Sequence, residues 1–143
     1  MRPGIIRDPL MRWLPALLAL SALGAASLAG CGGGPSYSHA KDGVLRLTLD
    51  EYRIRPENVE VHAGRIHIIA TNMGRLTHNL AIESFEHEDG EEAKLYGRTD
   101  TLHPGQTGSE QQPITLKAGK YRLTCTIGNH DDLGQYGELK VVK

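Results

Sequence analysis

Gly119-Lys120-Tyr121-Arg122-Leu123-Thr124-Cys125-Thr126-Ile127-Gly128-Asn129-His130-Asp131-Asp132-Leu133-Gly134-Gln135 is the stretch on which the reading of this chain turns. Its first half alternates. Tyr121, Leu123 and Cys125 share one face of an extended segment, while Arg122 and Thr124 take the other. Its second half loses the alternation and fills with turn residues, Gly128, Asn129, Asp131, Asp132 and Gly134. A strand therefore runs into a loop. The loop holds a cysteine, a histidine after four intervening residues, and a glutamine five positions further on.

The same rhythm extends outward. Downstream, Leu139, Val141 and Val142 close the chain; upstream, Ile114 and Leu116 lead into the turn Lys117-Ala118-Gly119-Lys120. Val44, Leu45, Leu47 and Leu49 alternate with Arg46 and Thr48, and Tyr52 and Ile54 continue toward Pro56. Val59 and Val61 flank Glu60 ahead of a turn at Ala63-Gly64. Ile66, Ile68 and Ala70 alternate with His67, Ile69 and Thr71 as far as Asn72-Met73-Gly74, and His78, Leu80 and Ile82 form a further run. Short alternating runs punctuated by turns predict an all-β sandwich or barrel. Glu83 to Gln106 interrupts the pattern. It is rich in acids, carries the single phenylalanine Phe85, and reads as a solvated crossover with one helical turn near Glu91 to Tyr96.

Cys125, His130 and Gln135, joined by the upstream His78, supply a thiolate, two imidazoles and an amide oxygen. A trigonal set of two histidines and a cysteine with a weak axial methionine or glutamine is the pattern of electron-transfer copper sites. The soft thiolate stabilises Cu(I), the imidazoles suit both oxidation states, and one geometry for both keeps reorganisation small. Two histidines and a cysteine also make an acceptable zinc shell, so the spacing alone leaves both metals open. His39, His62, His67, His87 and His103 lack ligand spacing and read as non-ligands, and Met73 reads as a packing residue ahead of the alternative that it lines the rim of the site. There is no phosphate-cradling glycine loop and no serine–histidine–acid arrangement.

The N-terminus has a different character. Arg2, Arg7 and Arg12 form a basic leader, and Trp13 to Ala29 is uncharged and short for a bilayer span. Leu28-Ala29-Gly30-Cys31 resembles a bacterial lipobox, which implies cleavage before Cys31 and lipidation of its thiol. Residues 1–30 are then a lipoprotein signal peptide, 31–42 a flexible lipid-anchored tether, and 43–143 one domain. Without the leader's three arginines and one aspartate, the formal charge of −1 becomes −3, which offers no basic stripe for nucleic acid. Of the two cysteines, lipidation uses Cys31 and leaves Cys125 without a disulfide partner. In an oxidising compartment, a metal is the obvious occupant for such a thiol.

Over nearly all of the chain after the leader, the sequence resembles the cupredoxin family. Pro56-Glu57-Asn58-Val59-Glu60-Val61-His62-Ala63-Gly64 is similar to that family's second strand and turn. Ile68 to Asn79 is similar to the strand and loop that deliver its first histidine, and Gly119 to Cys125 with His130 to those that deliver the rest. The departure is axial. Most bacterial members carry methionine where this chain has Gln135, and Asp132-Leu133-Gly134-Gln135 resembles the stellacyanin branch instead. That likeness is local, because members of that branch usually carry a disulfide that this chain cannot form within the domain.

The resemblance implies a Greek-key β-sandwich binding one copper ion, Cu(I)/Cu(II), through His78, Cys125, His130 and Gln135. Asn79 and Thr126 are then the residues tying the two ligand loops together. An axial oxygen donor implies a lowered reduction potential. The expected function is electron transport, a one-electron shuttle between an unidentified redox protein donor and acceptor, without enzymatic catalysis. The rival readings are an extracytoplasmic copper carrier or buffer, and an accessory copper domain of a redox complex. The expected location is extracytoplasmic. The domain would be a monomer anchored in the lipid bilayer, at the outer face of the cell membrane or the periplasmic side of the outer membrane. Asp131 and Asp132, beside His130, read either as solvated loop carboxylates or as a docking mark for a basic partner patch.

Overall fold

The structure is a computed structural model, and it describes residues 34–85 and 93–143. The expected signal peptide, the start of the expected tether, Cys31, His87 and the acids from Glu86 to Glu92 lie outside the described residues.

Eleven strands occur in the described chain: β1 Ser38–His39, β2 Val44–Asp50, β3 Arg53–Arg55, β4 Asn58–His62, β5 Gly64–Asn72, β6 Ala81–Ser84, β7 Leu95–Arg98, β8 Thr107–Ser109, β9 Ile114–Leu116, β10 Gly119–Thr124 and β11 Tyr136–Val142. They form two sheets. One runs β1-β4-β11-β10-β6-β7; the other runs β3-β2-β5-β8, with β9 paired to the start of β5. The pairs β1/β4, β4/β11 and β2/β5 are parallel and the rest antiparallel, so neighbours in a sheet are often distant in sequence.

The period-two pattern explains the layering. Leu45, Leu47 and Leu49 of β2 face inward beside Ile66, Ile68 and Ala70 of β5, and they meet Val59, Val61, Ile82, Leu123, Leu139 and Val141 from the other sheet. Arg46, Thr48, Arg65 and His67 face solvent. Each fully buried leucine or isoleucine contributes about 1.5–3 kcal/mol relative to exposure, which makes the register costly to shift.

Three expectations need correction. Leu95 and Tyr96, the end of the expected helical turn from Glu91 to Tyr96, instead open the strand Leu95–Arg98, antiparallel to β6. It carries little alternation because it is an edge strand, and Gly97 is there to fit under Ile114, whose Cγ1 would stand 2.5 Å from any added β-carbon. The crossover is not merely solvated either, since Thr99 and Leu102 are buried. Second, Ser38-His39, placed in the tether, pairs with Val59-Glu60, and the Tyr37 hydroxyl donates to Glu138 at 2.5 Å. Ordered structure thus begins ahead of residue 43, because the free edge of β4 offers backbone groups that a short strand satisfies. Third, Met73 packs against little and is 68% exposed.

Candidate metal centre

β10 and β11 are adjacent antiparallel strands, and the loop between them starts at Cys125 and returns at Gln135. Its ends are tied by Cys125 N–H to Gln135 C=O at 3.2 Å and Gln135 N–H to His130 C=O at 3.0 Å. Turns inside it, Gly134 N–H to Asp131 C=O at 3.0 Å and His130 N–H to Ile127 C=O at 3.3 Å, wind the chain so that His130 turns back over Cys125. His78 arrives from the other side. Its backbone exchanges hydrogen bonds with Leu102, at 3.1 and 2.7 Å. The loop ahead of it is organised by buried Asn72, whose amide donates to the carbonyls of Leu76 (2.7 Å) and Leu102 (2.8 Å) and accepts from Gly74 N–H (2.9 Å).

The two loops meet at one point. Cys125 Sγ lies 3.9 Å from His78 Nδ1 and 3.7 Å from His130 Nδ1, and the two Nδ1 atoms are 3.2 Å apart. Among the described residues this is the one group of three or more histidine, cysteine or acidic side chains with converging ligand atoms. A point equidistant from the three atoms in their plane lies about 2.1 Å from each, against about 2.0–2.1 Å for zinc–imidazole and about 2.3 Å for zinc–thiolate bonds. The triangle therefore has the size of a metal's equatorial shell.

Gln135 ends the same loop, with its side chain buried. Its amide nitrogen donates to the Asp50 carbonyl at 2.9 Å, with the Arg53 carbonyl 3.5 Å away. That fixes which end of the amide is which, and leaves Oε1 buried without a hydrogen-bond partner. Buried acceptors are rarely left so, and a weakly bound cation is one partner that would satisfy this oxygen. Asn79 and Thr126 join the loops through two hydrogen bonds, Asn79 Nδ2 to Thr126 Oγ1 and Thr126 N–H to Asn79 Oδ1, both 2.8 Å.

Burial governs the electrostatics. It pushes the Cys125 thiol above its ordinary value, against the backbone amides of Asn79 and Ile127 that favour the thiolate; Asp131 adds to the upward push. Burial, then the neighbouring His130, holds the His78 imidazole below its ordinary value, while Gln135 and Glu51 oppose this. Burial thus favours the neutral thiol and the neutral imidazole over their charged forms, and metal binding would have to displace the thiol proton.

Three of the non-ligand histidines of the described chain have ring partners of their own. His39 faces Glu60 at 3.3 Å, His67 faces Glu110 at 2.8 Å, and His62 Nδ1 meets the Lys143 carbonyl at 3.0 Å. Asp131 is not free, lying 3.6 Å from Arg122 Nη2, whereas Asp132 is exposed. Sequence reasoning missed Glu51, Tyr52 and Leu102. The Tyr52 ring meets His130 edge-on at 5.2 Å, and Glu51 Oε1 lies 3.7 Å from His78 Nε2. The backbone amides of Leu76 and Arg75 hold the Glu51 carboxyl below its ordinary value.

No protein-family profile matches the chain, and no curated protein matches it in sequence. Solved structures do. An auracyanin from the photosynthetic bacterium Roseiflexus castenholzii, in its dithionite-reduced form, superposes with a TM-score of 0.61 at 18% identity, over 76% of this chain and 100% of that one. Auracyanin A from Chloroflexus aurantiacus, described as a "blue" copper protein, gives 0.58 at 15% identity over 73% and 100%; auracyanin B gives 0.59 at 16% over 78% and 94%. The chain has a cupredoxin-like fold. Its converging cysteine and histidines lie between the ends of a cupredoxin-like sandwich's adjacent strands, where two loops can be held rigidly against each other.

Proposed function

We propose that this protein binds one copper ion and carries one electron at a time between exported or membrane-bound redox proteins. The observation that carries the reading is the triangle of Cys125 Sγ, His78 Nδ1 and His130 Nδ1, with distances of 3.9, 3.7 and 3.2 Å. Those three atoms would be the equatorial donors, and Gln135 Oε1 the weak axial one. Copper held there supplies a Cu(II)/Cu(I) couple. The description of auracyanin A as a "blue" copper protein on the same fold supports the choice of copper over zinc.

The chain's own contribution is rigidity. The Asn79–Thr126 hydrogen bonds, the His78–Leu102 bridge and the Gln135–Asp50 bond fix the donors independently of any metal, so little has to move when the charge changes. His78 and Cys125 are fully buried and His130 is partly exposed, which makes its ring the shortest route from the site to a docked partner. No substrate is transformed in this scheme. Lipidation of Cys31 would hold the domain at the outer face of the cell membrane or the periplasmic side of the outer membrane, raising its concentration near membrane partners.

Voltammetry alongside a Cu(I)-chelator challenge separates a shuttle from a copper carrier. A shuttle gives a reversible one-electron wave and keeps its copper through many cycles. Loss of Cu(I) to the chelator within a few turnovers would make the chain a carrier.

A further inference from the structure

The turn joining β2 to β3, Asp50-Glu51-Tyr52-Arg53, contacts His78, His130 and Gln135, although it supplies none of the converging donor atoms. The Asp50 and Arg53 carbonyls face the Gln135 amide and the Tyr52 ring meets His130. Glu51 faces His78. Its Oε1 lies 3.7 Å from His78 Nε2, a fully buried nitrogen with no hydrogen-bond partner.

The carboxylate is seated. Its Oε1 accepts from the backbone amides of Arg75 and Leu76, the latter at 2.8 Å. A β-carbon at Gly74 would stand 2.5 Å from the same oxygen. Three consecutive residues of the loop ahead of His78 therefore cradle one carboxylate oxygen beside the imidazole. The Glu51 side chain is 32% exposed, so its charge is screened only in part.

We infer that Glu51 is a positioning residue for the metal site: it holds His78 with the proton on Nε2, leaves Nδ1 as the donor, and favours the oxidised metal. The inference rests on the copper reading of the site. A metal-bound imidazole generally gives its second ring N–H to an outer partner, which sets the tautomer and the ring orientation. A fixed negative charge nearby stabilises Cu(II) more than Cu(I). No proton or covalent bond changes hands at Glu51.

Two variants of the full chain, purified in detergent, separate charge from structure. Glu51→Gln keeps an oxygen for the Arg75 and Leu76 amides and removes the charge. Gly74→Ala leaves Glu51 in the sequence and displaces its carboxylate. With copper bound, both should raise the midpoint potential. The ratio of Cu(II) to Cu(I) affinity should fall roughly fivefold, or about 40 mV at 59 mV per tenfold. Nitrogen NMR of the copper-free wild type should show His78 as the Nε2–H tautomer, with a ring proton resonance that moves in Glu51→Gln. Unchanged potentials in both variants overturn the inference even where the melting temperature falls, because a purely structural glutamate moves stability and not the couple. A wild-type chain lacking a thiolate-to-copper band fails the copper reading and the redox half of the inference. The copper-free NMR then decides the Glu51–His78 contact alone, and a His78 ring protonated on Nδ1 overturns it.

Discussion

Asn79 and Thr126, 47 residues apart, hold each other by a reciprocal pair of 2.8 Å hydrogen bonds, and in doing so clamp the His78 loop to the Cys125 loop. Asn79→Ala would leave the Thr126 amide unpaired and free the two loops to separate. We predict a loss of about 1–3 kcal/mol in the copper-free protein. Copper affinity should fall about 10–100-fold, the usual cost of losing an outer-shell partner. Chemical denaturation and competition with a copper chelator measure the two effects.

Gln135→Met should raise the reduction potential while the site stays coloured, because a thioether stabilises Cu(II) less than an amide oxygen does. The substitution also removes the hydrogen bond that the Asp50 carbonyl accepts from Gln135 Nε2 at 2.9 Å. The copper-free variant should therefore lose about 1–3 kcal/mol of stability. An unchanged or lowered potential would mean that Gln135 is not the axial group.

Glu110 predicts an acid limit. Burial would raise its carboxyl, but hydrogen bonds from the Ile68 amide and from His67 outweigh burial and hold it below its ordinary 4.5. A carboxylate whose folded value is lowered stabilises the fold above its unfolded value, and that stability disappears as pH falls through the folded one. Unfolding curves should thus weaken progressively from about pH 4.5 downward. Glu110→Gln should flatten that slope and lower stability at neutral pH by about 1.5–3 kcal/mol, as expected for a hydrogen bond to a charged group.

The acidic pair beside His130 divides into two roles. Asp131 is drawn to Arg122 at 3.6 Å, and Asp132 is exposed. If this edge docks basic partners, Asp132→Asn should slow reaction with a cationic cobalt oxidant, speed reaction with an anionic iron cyanide, and weaken the salt dependence of both. Asp131→Asn should do less. Equal rates for the Asp132 variant and the wild type with both reagents would remove the docking role.

Much of the sandwich was legible because burial on one face imposes a period of two. Leu45, Leu47 and Leu49, or Ile66, Ile68 and Ala70, announce their strands and their inward sides. β7 was not legible: an edge strand with Gly97 at a tight approach to Ile114 has no alternating face to display. Ser38-His39 was hidden for a related reason, being a two-residue edge strand fixed by pairing with β4 and not by side-chain burial. Within the site, Cys125, His130 and Gln135 stood out because loop spacing brings them together locally. Glu51 did not, since a carboxylate in a turn looks like any solvated residue until the fold brings it 3.7 Å from His78 Nε2.

The central claim is tested most directly by adding one equivalent of Cu(II) to the purified chain and recording its visible and electron-spin resonance spectra. The account predicts an intense thiolate-to-copper band with a compressed copper hyperfine splitting, both lost in Cys125→Ser. A pale, ordinary Cu(II) spectrum, or a clear preference for zinc over copper, would contradict it and leave only the sandwich standing.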